Sequence, residues 1–127
     1  MRSGQRLLYV SFAAVLATAC ASGPPPAREF PAGAKAPSAA EVTSLLRGKS
    51  FQLGGSGGVR ADYAKEGNGA TVYFSGRSDV GTWRTEDGRV CFEGFRAMPS
   101  VCNDVRLVGS DIYVKRSNGQ VVQSVPR

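Results

Sequence analysis

The spacing of apolar positions changes near residue 48. Upstream, Ser38–Arg47 reads SAAEVTSLLR, which places Val42, Leu45 and Leu46 at i, i+3 and i+4, the stripe of a short amphipathic helix. Ser38 is placed to cap its first turn with Glu41 as the capping-box partner, and Gly48 to end it. Three apolar residues are a weak stripe for a membrane surface, so this helix is expected to plug or flank a sheet. Downstream, runs rich in Val, Tyr, Phe, Trp and Thr lie near 50–53, 59–65, 70–75, 79–85, 89–94, 100–107, 111–116 and 120–125. The breaks between them include GGSGG at 54–58, Gly67-Asn68-Gly69, Asp87-Gly88, Gly109-Ser110 and Asn118-Gly119. Asp-Gly and Asn-Gly favour two-residue hairpins, and short links make neighbouring strands antiparallel. The expected fold is mainly β: a small antiparallel meander forming a curled sheet or an eight-stranded barrel, with one short N-terminal helix.

The first forty residues follow other rules. Arg2 and Arg6 precede an apolar stretch, LLYVSFAAVLATA at 7–19, that is too short for the ~20 residues a spanning helix needs. The stretch ends Leu16-Ala17-Thr18-Ala19-Cys20, small residues before a cysteine, which resembles the lipobox of bacterial lipoproteins, with Ala17 where that box usually has Leu. The resemblance implies a signal peptide at 1–19, acylation of Cys20, and a lipid-anchored place in the cell envelope. In a Gram-negative host, Ala21 is similar to the pattern that sorts to the outer membrane, on its periplasmic face. The alternative is an ordinary secretory signal cut after Ala17-Thr18-Ala19. Residues 21–40 carry five of the seven prolines among Ala, Gly and Ser and read as a semi-rigid tether, so residues 20–40 form anchor and tether and 41–127 the β-domain.

Three cysteines then divide naturally: Cys20 for lipid, and Cys91 with Cys102 as a disulfide in an oxidising compartment. With no histidine in the chain and no C-x-x-C spacing, neither a metal site nor a redox pair is expected. Alternation refines the pairing. Val90 and Phe92 share one face, as do Val101, Val105 and Leu107, while both cysteines fall on the opposite face. Placing the cysteines opposite each other sets Phe92 against Val101, Val90 against Asn103 and Arg89 against Asp104, with residues 95–98 at the hairpin tip and an outward-facing disulfide.

Charge and side-chain inventory remove function classes. Loss of Arg2 and Arg6 leaves 14 basic against 10 acidic residues, a net +4, with no basic run or stripe for nucleic acid. Without histidine the usual catalytic triad lacks its base, and Lys49-Ser50 and Lys115-Arg116-Ser117 have no supporting motif. Among the acids, Glu86-Asp87 reads as a solvated turn, and Asp79 and Glu93 as outward strand positions. The GGSGG segment leads into a strand, not into the Gly-Lys-Ser/Thr and helix of a P-loop. No enzymatic activity and no cofactor are expected.

Gly81-x-Trp83-x-x-x-x-Gly88-x-x-Cys91-Phe92, then Cys102, Tyr113 and Asn118-Gly119, resembles a group of small exported proteobacterial domains of unknown function, over about residues 43–122. The resemblance implies a small antiparallel β-domain with a cysteine pair and carries no catalytic residue. Three binding roles follow. The first is an interaction module for an envelope protein, with Trp83, Arg84, Arg96 and Tyr113 as candidate contacts, although Trp83 first suggests a core aromatic. The second is a barrel for a small ligand, lined by Phe74, Trp83 and Tyr113, or for an anionic glycan or lipid held by arginines such as Arg77, Arg84, Arg96 and Arg106. Against it, an eight-stranded barrel of this length is expected to fill itself with its own side chains. The third is an inhibitor of an envelope enzyme, disfavoured where the target is also basic.

Overall fold

The computed structural model describes residues 27–54 and 58–127. Helix α1 (Ala39–Leu46) precedes eight strands: β1 (Ser50–Leu53), β2 (Val59–Tyr63), β3 (Gly69–Phe74), β4 (Arg77–Glu86), β5 (Arg89–Glu93), β6 (Val101–Val108), β7 (Asp111–Lys115) and β8 (Val121–Pro126). Each strand pairs antiparallel with the next, and β8 returns to β1, closing a barrel in sequence order. Closure decides between the two sheets the sequence left open.

Local chemistry explains the elements. Ser38 Oγ accepts from the Glu41 N–H while Glu41 reaches back to the Ser38 N–H, completing the capping box, and Asp87 accepts a further bond from the Ala39 N–H at 2.8 Å. Val42 and Leu46 are fully buried in the barrel core, and Thr43 Oγ1 lies 2.8 Å from Thr85 Oγ1, so α1 stoppers one end. The β3–β4 link is a turn the sequence reading missed. Ser75 (φ 48°) and Gly76 (φ 72°) both take positive φ, the requirement of a type I′ hairpin, and β4 therefore starts at Arg77, two residues early.

The β5–β6 ladder has the expected register: Cys91 pairs with Cys102, Phe92 with Val101, Val90 with Asn103, and Arg89 with Asp104. The disulfide forms, and Arg89 Nε is 3.1 Å from Asp104 Oδ1. Cys91 nevertheless is only 1% exposed. Arg84, its neighbour on β4, bonds Glu93 and Glu86 and brings Nη2 to 4.0 Å from Cys102 Sγ, within a chain of ion pairs from Glu93 through Arg84, Glu86 and Arg89 to Asp104, while Cys102 itself is exposed on the outer face.

The chain before α1 is docked along the outer wall. The Ala27 carbonyl accepts from the Val121 N–H at 2.8 Å, and Arg28 lies beside Asn118. Arg106 stacks on Phe30, and Lys35 exchanges two 2.8 Å bonds with Leu107 on the stretch of β6 that β5 leaves uncovered. Residues 27–37 thus run as a strap from the start of β8 to the helix end of the barrel. The signal stretch, Cys20 and residues 55–57 of the glycine-rich loop lie outside the described residues. Among the described residues, no helix is long and apolar enough to cross a membrane.

Candidate functional site

The barrel interior is not filled. A cavity of about 460 Å³ opens at the end opposite α1, between apolar walls that include Leu53, Val72, Phe74, Phe92, Val101 and Val114. This overturns the expectation of a self-filled barrel, and Ala61 is the small inward residue that lines the space. Ala61 and Ala70 occupy inward positions of β2 and β3. Gly81 faces Ala70 on β4, and a Cβ there would overlap the Phe95 ring and the Glu93 carbonyl. The large aromatics gather deeper: Phe51, Tyr63 and Trp83 stack edge to face, with Tyr63 at 5.0 Å from Trp83. Together with α1 they lie beneath the cavity, whose upper walls are Val, Leu and Met side chains with Phe74 and Phe92. The size falls within the range of small-ligand pockets, roughly 300–1,000 Å³.

Polar groups sit mainly at the rim. Ser75, Ser117 and Arg116 line the opening, with Ala97 and Met98 of the β5–β6 loop, while Asn103 lies deeper, opposite Val90. Asp79 fixes that loop: its Oδ2 accepts from the Ala97 N–H at 2.8 Å and its Oδ1 from the Val80 N–H. These backbone bonds, Ala97 first, hold its carboxyl below the usual carboxylate range. Asp79 lies in the inward register of Gly81 and Trp83, so its expected outward placement is corrected; a charge is accommodated there because the loop's N–H groups meet it. Glu86 joins the ion-pair chain, and Asp87 caps α1, so the acids do not converge as a catalytic pair.

The candidate contact residues separate. Phe74 lines the cavity as expected. Trp83 is 3% exposed beneath it, with Arg47 stacked 5.2 Å above the ring and no partner for its Nε1–H among the described residues. Tyr113 points outward, because the inward positions of β7 are Ile112 and Val114, and so it does not line the barrel. Arg84 is committed to Glu86 and Glu93, which raise its pKa, and Arg106 donates to the Gly88 and Val105 carbonyls. Arg96 stays at the rim on the loop latched by Asp79. Burial pushes the Tyr63 phenol far above its ordinary pKa, so it is a neutral part of the floor. Glu86, Cys91 and Cys102 place three ligand-type atoms close together, but both sulfurs are spent in the disulfide and offer no thiolate. The cavity itself was missed because strand alternation gives which residues face inward but not how large a space they enclose.

No family model matches the chain, and no curated protein matches it. Among solved structures, the chain is similar to a protein from Burkholderia xenovorans determined by NMR, with a TM-score of 0.50 and 14% identity over 82% of this chain and 99% of that one. At that identity the likeness concerns the fold, an eight-stranded closed barrel with one short helix.

Proposed function

We propose that this protein is a binding barrel for a small apolar ligand, held in the cell envelope by a lipid on Cys20 and working without a cofactor or chemistry of its own. The observation that carries the reading is the apolar cavity of about 460 Å³, open at one end and stoppered by α1 at the other. Its polar groups are rim-side donors and amides rather than an acid–base pair, which suits retention of a ligand more than its conversion.

The chain's single tryptophan supplies the assay, since Trp83 touches Tyr63 of the cavity floor. The exported chain carrying Cys20→Ala is purified without detergent and titrated with N-phenyl-1-naphthylamine, an uncharged apolar probe. The expected result is saturable one-to-one binding with a change in Trp83 emission, lost in Val114→Trp, which fills the cavity. Absence of saturable binding by the unfilled barrel would refute the reading. A protein partner is the second reading, favoured by Val80 at 65% exposure and Tyr73 at 39% on the adjoining outer faces of β4 and β3.

A further inference from the structure

We infer that the cavity's ligand is a single-chain anionic amphiphile, its alkyl chain inside the barrel and its head group at an arginine rim; this rests on the apolar-ligand reading above. Three arginines stand toward the open end of the barrel. Arg116 lines the cavity at the end of β7, Arg77 begins β4 in an outer groove that shares Phe74 and Ser75 with it, and Arg96 sits on the loop whose Ala97 and Met98 line it. Among the described residues none of the three forms an ion pair, whereas Arg60, Arg84 and Arg89 on the outer wall all do. The nearby carboxylate, Asp79, accepts from the Ala97 and Val80 N–H groups and also feels the charge of Arg96, which leaves Arg116 as the cation on the cavity wall itself. An apolar pocket with Arg116 at its mouth and Arg77 close by fits one chemistry: a hydrocarbon chain ending in a carboxylate or phosphate. The single opening and the α1 stopper require the chain to enter tail first, which leaves the head at the arginines.

The strap gives the source. Its first described residue, Ala27, is bonded to Val121 at the open end of the barrel, while Lys35 is bonded at the closed end. Ala27 stands seven positions after Cys20, a reach of at most about 25 Å even when fully extended. A lipid on Cys20 therefore keeps the mouth within that distance of the bilayer, where single-chain amphiphiles partition.

The test compares dodecanoate, dodecyl phosphate and dodecanol on the detergent-free Cys20→Ala protein, by displacement of N-phenyl-1-naphthylamine at low salt. The two anions are expected to bind about tenfold more tightly than the alcohol, and Arg116→Gln to remove most of that ratio, read from anion and alcohol on one preparation. Affinity is expected to rise about fourfold per added methylene until the cavity is full. A preference for one anion over the other identifies the head as carboxylate or phosphate. Equal binding of dodecanol and both anions overturns the amphiphile inference and leaves the apolar-ligand reading intact. Failure of all three, and of the probe itself, overturns both. Arg116 is on the rim and outside the core, so its substitution tests the head-group contact without testing the fold.

Discussion

Opening the Cys91–Cys102 bond should have a consequence large enough to test how this barrel is stabilised. The bond closes a loop with a sequence separation of 11. Denying the unfolded chain that loop's freedom contributes on the order of 3 kcal/mol. For a domain of this size that corresponds to a fall in Tm of roughly 10–20 °C. Two features of the structure bear on the figure. The ladder between β5 and β6 and the Arg89–Asp104 pair hold the strands together without the bond, so the native fold should persist. The Cys91 side chain is fully buried, so Cys91→Ala/Cys102→Ala adds a packing loss to the entropic one. Chemical reduction of the unmodified protein separates the two, because it removes no atoms from the core. The assay is thermal unfolding by circular dichroism of oxidised, reduced and doubly substituted protein, with stopped-flow refolding alongside. If the hairpin forms before the rate-limiting step, reduction slows folding and leaves unfolding unchanged. A fall in Tm of less than about 4 °C, or a loss of native structure on reduction, would refute the account.

Other outcomes follow from named contacts. Lowering pH should loosen the rim through Asp79: its folded pKa is depressed, so the latch is intact above the ordinary value of 3.8 and is lost as pH falls through the lower, folded value. Hydrogen exchange of the Ala97 N–H read across pH 5 to 2 checks this, and Asp79→Ala should show the fast exchange already at pH 7. Removing Ser38 Oγ by Ser38→Ala, or the Asp87 cap by Asp87→Ala, should each cost about 1 kcal/mol in denaturant unfolding with an unchanged m-value. Gly81→Ala should lower stability clearly, because its Cβ meets the Glu93 backbone carbonyl as well as the Phe95 ring, and a fall in Tm against the unsubstituted protein checks this.

Much of the fold was legible because it obeys local rules. The strand runs, the capping box at Ser38 and the Cys91–Cys102 register all come from alternation, turn residues and cysteine spacing, and the structure has them. Ser75-Gly76 was missed because Ser is uncommon at positive φ, and only the paired geometry of β3 and β4 forces it there. Tyr113 was assigned to the interior by its aromatic character, although alternation with Ile112 and Val114 puts it outside. Cys91 is buried on the outer face between Arg84 and Cys102, a kind of burial that strand alternation does not encode. The cavity is enclosed by residues of β1, β2, β3, β5, β6 and β7 once the ring closes, a property of the strands together and of none alone.

The ring itself is fastened unevenly. Seven of its seams join strands adjacent in sequence and hold four to six residue pairs each. The eighth joins β1 to β8 from opposite ends of the domain, through three pairs: Phe51 with Pro126, Gln52 with Val125, and Leu53 with Ser124. Hairpin contacts form early in folding, whereas a pairing between distant segments must first overcome the entropy of closing the whole chain. The folding polypeptide is therefore expected to pass through a curved ribbon with two bare edges, and an unpaired edge is a template for another copy. Pro126, which has no N–H to offer, blunts one of those edges until the seam is made.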